Sequence, residues 1–246
     1  MLVAEEGGFM NHETFKNVLL QRLAREVIDR LELKRVELPV NREIEYPEKR
    51  IAHLIFIEEG IASMTATFKD GFQVEIALAG SEAVLGASSM MGTRRSLNRV
   101  YMQIAGYGYS SPTAIATKEF KRAEKFHDLT LRYLQAQFIQ SAQTAGCNAR
   151  HTVEQRMARW LLLCSDRIGN RVLPLSHDFL ADMIGVTRTS VTLVALRLQE
   201  RNLIQYTRGK VELIDRAGLE ALACECYRVV RDHLSSLVDN DETYGT

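Results

Sequence analysis

Between Leu175 and Asp215 short apolar-periodic runs alternate with single punctuating residues, and this order constrains the fold more than any other part of the chain. Ser176 is a favourable N-cap, and Phe179, Leu180, Met183 and Ile184 follow at helical spacing, which predicts a short helix with one apolar face. Gly185 ends it, because the residue after a helix commonly needs the positive φ that glycine adopts without steric cost, and Val186 fills the corner. Thr187 caps a second helix over about 187–200, with Val191, Val194, Ala195 and Leu198 on its core side. Arg188, Thr189, Ser190 and Thr192 then project from its first turns. Two strand-like runs, Asn202 to Tyr206 and Lys210 to Ile214, flank Thr207-Arg208-Gly209 and predict a hairpin with Arg208 and Lys210 at its tip. Helix, turn, helix and basic wing in this order place the first turns of the second helix at base edges in a major groove, and the wing cations at phosphates. The DNA-contacting candidates are therefore Ser176, His177, Thr187, Arg188, Thr189, Ser190, Thr192, Arg208 and Lys210. A surface hairpin with ordinary solvated charges is the competing account of the wing.

Charge supports the first reading. The chain as a whole balances 31 Lys+Arg against 31 Asp+Glu, yet residues 150–216 hold 11 basic and 7 acidic side chains, so the positive excess coincides with the expected reader. The closing acidic stretch, Asp239 to Thr246, is expected to fray and aid solubility. At 246 residues and 46% apolar content the chain has ample material for a core, and two domains suit it better than one. No run approaches the roughly 18 to 20 apolar residues of a membrane span, and the start, MLVAEEGG, has no secretory-signal pattern, so a cytoplasmic protein without membrane contact is expected. Cys147, Cys164, Cys224 and Cys226 include no CxxC pair, and neither His12, His127, His151, His177 nor His233 shows ligand spacing. No metal site is therefore expected, and Cys224 and Cys226 would point to nearly opposite sides of a helix. No GxSxG, P-loop, HExxH or dinucleotide fingerprint occurs, so an enzyme is not expected either.

From about residue 36 to 115 the texture changes to short β-type runs: Arg50 to Ile57, Ile61 to Phe68, Phe72 to Leu78 and Tyr101 to Ile104. Breaks at Glu58-Glu59-Gly60, Lys69-Asp70-Gly71 and Gly80 separate them, which predicts an antiparallel roll or barrel. Phe15, Val18, Leu19, Leu23, Val27 and Leu31 predict one or two helices before it. After it, Leu131, Leu134, Phe138, Ser141 and Ala145 recur at alternating threes and fours along a long helix. That seam fits pairing with a twin helix, or packing on its own domain.

An antiparallel roll, a long seamed helix and a C-terminal helix-turn-helix with a basic wing is the layout of the Crp/Fnr family of bacterial transcription regulators, which the sequence resembles over nearly its full length. Ile184 to Val191 is similar to the family's recognition-helix motif, Asn202-Leu203-Ile204 with Arg208-Gly209-Lys210 to its wing, and Glu154 to Leu162 to the helix that opens its DNA-binding domain. The segment from Asp215 to Glu220, running into Cys224-Glu225-Cys226-Tyr227, resembles a little-characterised branch. The resemblance implies an α+β chain: a cyclic-nucleotide-binding-like, jelly-roll type β-roll with flanking helices over 1–125, a dimerisation helix over 126–150, and a winged helix with a helical tail over 151–246. It implies a homodimer on pseudo-palindromic double-stranded DNA, a roll whose small-molecule effector or state sets affinity, and RNA polymerase as a candidate further partner. Leu131, Leu134, Phe138 and Ala145 would carry the dimer contact.

The chain departs from the family's best-known patterns in two places. Arg188 is kept, but Thr189 stands where a Glu is usual and Leu193 where a second Arg is usual, so one guanine preference should survive and the other contacts change. In the roll, Gly86 is followed by Ala87 rather than Glu, and Arg95-Ser96 mimics the phosphate-binding pair about three residues too early. Arg94, Arg95 and Arg99 offer either an anion site or a solvated basic loop, and Tyr101, Met90 and Met91 either line a cavity or pack the core. Cyclic AMP is not the expected effector. An iron-sulfur cluster is not expected, since no Cys precedes Cys147; haem would need His53, which reads as an ordinary strand residue; a redox role for Cys147 stays open. A second functional reading is a small-ligand or cyclic-nucleotide sensor that acts through protein contacts without specific DNA binding.

Overall fold

The computed structural model of the chain describes residues 15–239; the first residues, with His12, and most of the closing acidic stretch lie outside them. A single 3-10 turn at Leu20–Arg22 and helix α1 (Arg25–Arg30) occupy the place of the expected N-terminal helices. They are shorter than the periodicity predicts, but Phe15, Leu19, Leu23, Val27 and Leu31 are all buried on the roll.

The roll is one antiparallel sheet of β1 (Lys34–Leu38), β2 (Glu43–Glu45), β3 (His53–Thr67), β4 (Gln73–Ala79), β5 (Val84–Leu85) and β6 (Arg99–Pro112). Its main path runs β1-β6-β3-β4, with β2 added on β6 and β5 on β3. Asp70-Gly71 makes the expected hairpin: Gly71 sits at φ 86°, and the Phe68 amide donates to the Phe72 carbonyl at 2.9 Å. Glu58-Glu59-Gly60 does not break the chain as expected. It is a bend inside one long strand, where the β3–β6 register shifts between Ile57, Glu59 and Ile61. Gly60 permits the bend, being at φ 97° with room for no Cβ, which would lie 2.6 Å from the Ile104 carbonyl oxygen.

Both faces of the sheet are covered. Leu54, Phe56, Val100 and Met102 join the roll interior, whereas Ile61, Leu78 and Tyr101 join the core of the C-terminal segment. After the roll come α2 (Thr113–Phe120), α3 (Lys125–Arg150) and α4 (Val153–Ile168). The 26 residues of α3 give it a length of roughly 39 Å. It stops at His151, and Thr152 starts α4 with a reciprocal capping box to Gln155, at 3.3 Å and 3.1 Å. The remaining elements are β7 (Val172–Leu173), α5 (His177–Ile184), α6 (Arg188–Glu200), β8 (Ile204–Thr207), β9 (Lys210–Leu213), α7 (Arg216–Leu222) and α8 (Cys226–Asp239). β7 adds to the wing as a third strand in the order β7-β9-β8, which two residues are too few to signal by period. No single helix among the described residues is long and apolar enough to cross a membrane.

A buried polar lock joins the roll to α4. Trp160 Nε1 donates to Glu75 Oε1 at 2.7 Å, while the Ser63 hydroxyl oxygen lies 2.7 Å from Glu75 Oε2 and 2.6 Å from Gln103 Oε1. One hydroxyl has one proton, so two acceptors are satisfied together when Glu75 is protonated, its O–H donating to Ser63 and Ser63 donating to Gln103. Burial pushes the Glu75 carboxyl up to about 7, against the bonds from Ser63 and Trp160 that lower it. The folded chain thus holds a proton that the unfolded chain releases near 4.5. Stability from this group is fully present below about pH 4.5, declines as pH rises toward 7, and levels off above, a loss of about 3 kcal/mol. Urea unfolding at pH 5 and pH 8 should therefore show a smaller pH difference for Glu75→Gln than for the unaltered chain; an unchanged difference would place the titration elsewhere.

Candidate nucleic-acid interface

Ser176 accepts from the Phe179 amide at 3.1 Å and starts α5, and Gly185 ends it at φ 66°. A Cβ on Gly185 would sit 2.9 Å from the Val74 side chain, so the glycine also lets the turn lie against β4. The chain turns through 106° between α5 and α6, within the usual range for a helix-turn-helix. Thr187 caps α6 by accepting from the Ser190 amide at 3.2 Å. Val191, Val194, Ala195 and Leu198 are buried as expected, and behind them the Arg156 guanidinium donates to the Ile184 carbonyl at the end of α5.

This packing leaves Thr187, Arg188 and Thr189 exposed in the first turn of α6, with Leu193 and Leu196 exposed on the next two turns. Arg188 rests against Asp178, Nη1 to Oδ2 at 3.3 Å, and both side chains are about two-thirds exposed (67% and 66%). Such a pair is worth at most about 1 kcal/mol, so it hinders little the transfer of the fork to another acceptor. Ser190, Thr192 and His177 are placed differently from the expectation that they face outward. The Ser190 hydroxyl lies 2.9 Å from that of Thr187, and the Thr192 hydroxyl lies 3.0 Å from His177 Nδ1 and donates to the Arg188 carbonyl at 3.1 Å. The His177 ring meets the Tyr206 ring at 4.2 Å, and its Nε2 is buried without a partner. Burial, reinforced by the Arg188 cation, lowers the His177 imidazole. Tyr206 in turn donates its hydroxyl to the Leu175 carbonyl and its amide to Gln199 Oε1 at 2.8 Å. His177, Thr192 and Tyr206 thus tie α5, α6 and the wing into one unit.

At the wing, Arg208 and Gly209 both have positive φ, 44° and 77°, which makes the two-residue turn that best matches strand twist. Thr207 pairs with Lys210 across it, and Arg208 and Lys210 are exposed. Glycine explains only half of this turn; the sequence does not flag the arginine's left-handed backbone.

Of the two readings of Arg94, Arg95 and Arg99, an anion site or a solvated basic loop, the contacts favour the second, because Arg95 and Arg99 engage different partners. Arg99 pairs with Glu43, donates to Gln73 Oε1 at 2.9 Å and lies 4.4 Å over the Tyr101 ring. Arg95 donates to the Glu48 carbonyl at 2.8 Å, and Arg94 is exposed. Tyr101 is buried in the core beside α5, its hydroxyl 4.0 Å from Met183 Sδ. A cavity between roll and α3, about 330 Å³, is lined by Glu45, Met64, Met91, Ser96, Leu134 and Phe138 among others. Glu45 accepts from the Gly86 amide at 2.8 Å and the Ser96 hydroxyl at 2.6 Å, so a carboxylate of the chain already holds donors that an anion would need. Burial raises the Glu45 carboxyl. His53 is exposed at the start of β3 and not among the cavity's lining residues. Along α3, Leu134 is buried against its own roll, whereas Leu131, Phe138 and Ala145 are exposed, Phe138 at 73%.

The cysteines also depart from expectation. Cys224 precedes α8 instead of lying within it, so Cys224 and Cys226 are not on opposite sides of one helix. Both come together with Cys147 and His151, the four ligand-type atoms lying within 4.8 Å of one another. The overlooked signal is Cys147-x3-His151, one turn apart on one helix face.

Residues 155–222 match the Crp-like helix-turn-helix domain. The chain is 26% identical over 189 residues to a global nitrogen regulator of Synechocystis sp., covering 73% of this chain and 84% of that protein, and 25% identical over 182 residues to one of Nostoc sp. (70% and 81%). Among solved structures, a Crp/Fnr-family regulator of Eubacterium rectale superposes with a TM-score of 0.67 at 17% identity, covering 83% of this chain and 96% of that one. FixK2 of Bradyrhizobium japonicum superposes with a TM-score of 0.68 at 14% identity (78% and 98%). These structures share the fold of roll, long helix and winged helix.

Proposed function

We propose that this chain, which belongs to the Crp/Fnr family of transcription regulators, works as a cytoplasmic, non-enzymatic homodimer that reads a specific inverted repeat in double-stranded DNA. The observation that carries the proposal is the first turn of α6, where Arg188 and Thr189 stand exposed on a helix tied to α5 and to the basic wing by the Thr192–His177 and Tyr206–Gln199 contacts. Arg188 grips guanine O6 and N7 bidentately, and the methyl of Thr189 and the side chain of Leu193 meet thymine methyl groups in place of the usual charged contacts. Arg208 and Lys210 hold phosphates and set register. The exposed face of α3 at Leu131, Phe138 and Ala145 pairs with its twin, which brings two readers to successive major grooves about 34 to 36 Å apart. Residues 1–125, 126–150 and 151–246 then serve as sensing, pairing and reading parts. The sensing part takes a small, largely apolar effector in the cavity beside Phe138, not cyclic AMP, because Glu45 occupies the donors a phosphate would use. RNA polymerase is the partner through which the bound dimer acts.

The test is filter binding of the full chain to mixed genomic DNA at low salt and at about 200 mM salt. A retained subset of fragments at the higher salt is expected; uniform, steep loss from every fragment would leave charge alone and overturn the reading. Lys210→Ala should weaken all sequences alike and lower the salt slope by about one, a uniform change that separates a phosphate contact from a base contact.

A further inference from the structure

The end of α3 carries Cys147 and, one turn on, His151; the junction between α7 and α8 carries Cys224 and Cys226. Cys147 Sγ lies 3.5 Å from Cys224 Sγ, and Cys226 Sγ lies 3.6 Å from His151 Nδ1. A tetrahedral ion with metal–sulfur bonds of about 2.3 Å and metal–nitrogen bonds of about 2.0 Å sets its ligands apart by about 3.8 Å (sulfur to sulfur) and about 3.5 Å (sulfur to nitrogen). The sulfur–nitrogen separation falls at its edge, and the sulfur–sulfur separation is slightly shorter than its own. An iron-sulfur cluster, with several iron atoms between its ligands, needs them further apart than the 4.8 Å that bounds this set.

Three further observations fit a metal site. His151 presents Nδ1 to the cysteines while its Nε2 faces Glu225 Oε2 at 3.3 Å, so the carboxylate fixes the tautomer whose Nδ1 lone pair is free to ligate. Gln143 Nε2 donates to Cys226 Sγ at 3.0 Å, a bond that favours a thiolate there. Arg156 and Arg159 are buried, pair with no carboxylate among the described residues, and each leaves its Nε unpartnered. Two buried cations beside three neutral thiols leave the region short of negative charge.

We propose that Cys147, His151, Cys224 and Cys226 bind one zinc ion, which fastens the C-terminal end of α3 to the α7–α8 junction. No electron is transferred. Each of the three thiols releases its proton to solvent as its sulfur binds, His151 donates the Nδ1 lone pair, and the resulting centre carries one net negative charge that answers the two arginines. All four positions are filled by protein, which is the closed arrangement of a structural site and leaves no place for substrate.

The experiment uses the full chain purified under reducing conditions. Elemental analysis is expected to find about one zinc per chain, and replacing zinc by Co2+ should give the intense sulfur-to-cobalt charge-transfer absorption of a thiolate-bound tetrahedral ion. Cys224→Ser and His151→Gln should diminish both, whereas Cys164→Ala, at the one cysteine outside the cluster, should keep them. Because ligand variants can lose the fold, Glu225→Gln supplies the second arm: the side chain is 74% exposed and the ligands stay, and zinc affinity should fall about 10- to 100-fold. A folded, reduced chain that takes up neither zinc nor Co2+ overturns the proposal. So does iron with visible cluster absorption, or a Cys147–Cys224 disulfide in the native protein, or an unchanged affinity in Glu225→Gln.

Discussion

Arg188→Ala is expected to weaken binding to the preferred duplex by about 1 to 3 kcal/mol in each half-site, roughly 5- to 150-fold per contact, and to relax one base position. The size follows from the geometry of the fork. A bidentate guanidinium satisfies both acceptors of a guanine edge, and no other pair presents the same two acceptors at that place in the groove. In the unbound chain the fork rests on the exposed carboxylate of Asp178 at 3.3 Å, and α6 is held in place independently by Val191, Val194 and Leu198, so the substitution removes the contact without moving the helix. Arg188→Lys makes the argument sharper. It keeps the charge and loses the planar fork, so affinity for mixed DNA should be nearly kept while the guanine preference goes. Competition binding with a preferred duplex and its single-base variants reads both effects; an equal loss on every sequence would reduce Arg188 to a phosphate contact.

Phe138→Asp is expected to convert the protein to a monomer and abolish specific binding at concentrations where the unaltered chain is saturated. Phe138 is 73% exposed on α3, and Leu131 and Ala145 extend the same bare face a turn or two to either side. Burying one phenylalanine is worth about 1.5 to 3 kcal/mol, and a two-fold axis counts it twice. A buried, unpaired aspartate adds a desolvation cost to each copy. Because the side chain touches solvent in the single chain, the monomer's own unfolding should move by no more than about 0.5 kcal/mol. Sedimentation velocity and denaturant unfolding together separate loss of pairing from loss of fold. A variant that stays dimeric would move the pairing surface off this face.

The reader was legible because each of its steps has a single-residue signature: Ser176 and Thr187 as caps, Gly185 as the left-handed stop, and four apolar positions at threes and fours on α6. The roll was legible in class but not in detail. Glu58-Glu59-Gly60 has the composition of a turn, yet β6 pairs alongside and converts it into a bulged bend, a tertiary effect that composition does not carry. The site residues split along the same line. Arg188, Thr189, Arg208 and Lys210 stand outward because local helix and turn geometry puts them there. His177 and Thr192, which the same geometry also offers to solvent, instead bond each other at 3.0 Å because Tyr206 of the wing packs against the imidazole. Arg99 is unavailable to an anion for a related reason: Glu43 and Gln73 arrive from β2 and β4 to take its donors. The cysteine cluster needed the fold outright, since 77 residues separate Cys147 from Cys224 and only the packing of α8 on α3 closes that distance.

The most direct test of paired, sequence-specific reading is selection of bound duplexes from a random library by the full chain, at a salt concentration that removes charge-only binding. The expected product is an inverted repeat whose half-sites each keep one required guanine and lie about 10 base pairs apart, centre to centre. A library that emerges unenriched, or enriched in a single unrepeated element, would contradict it.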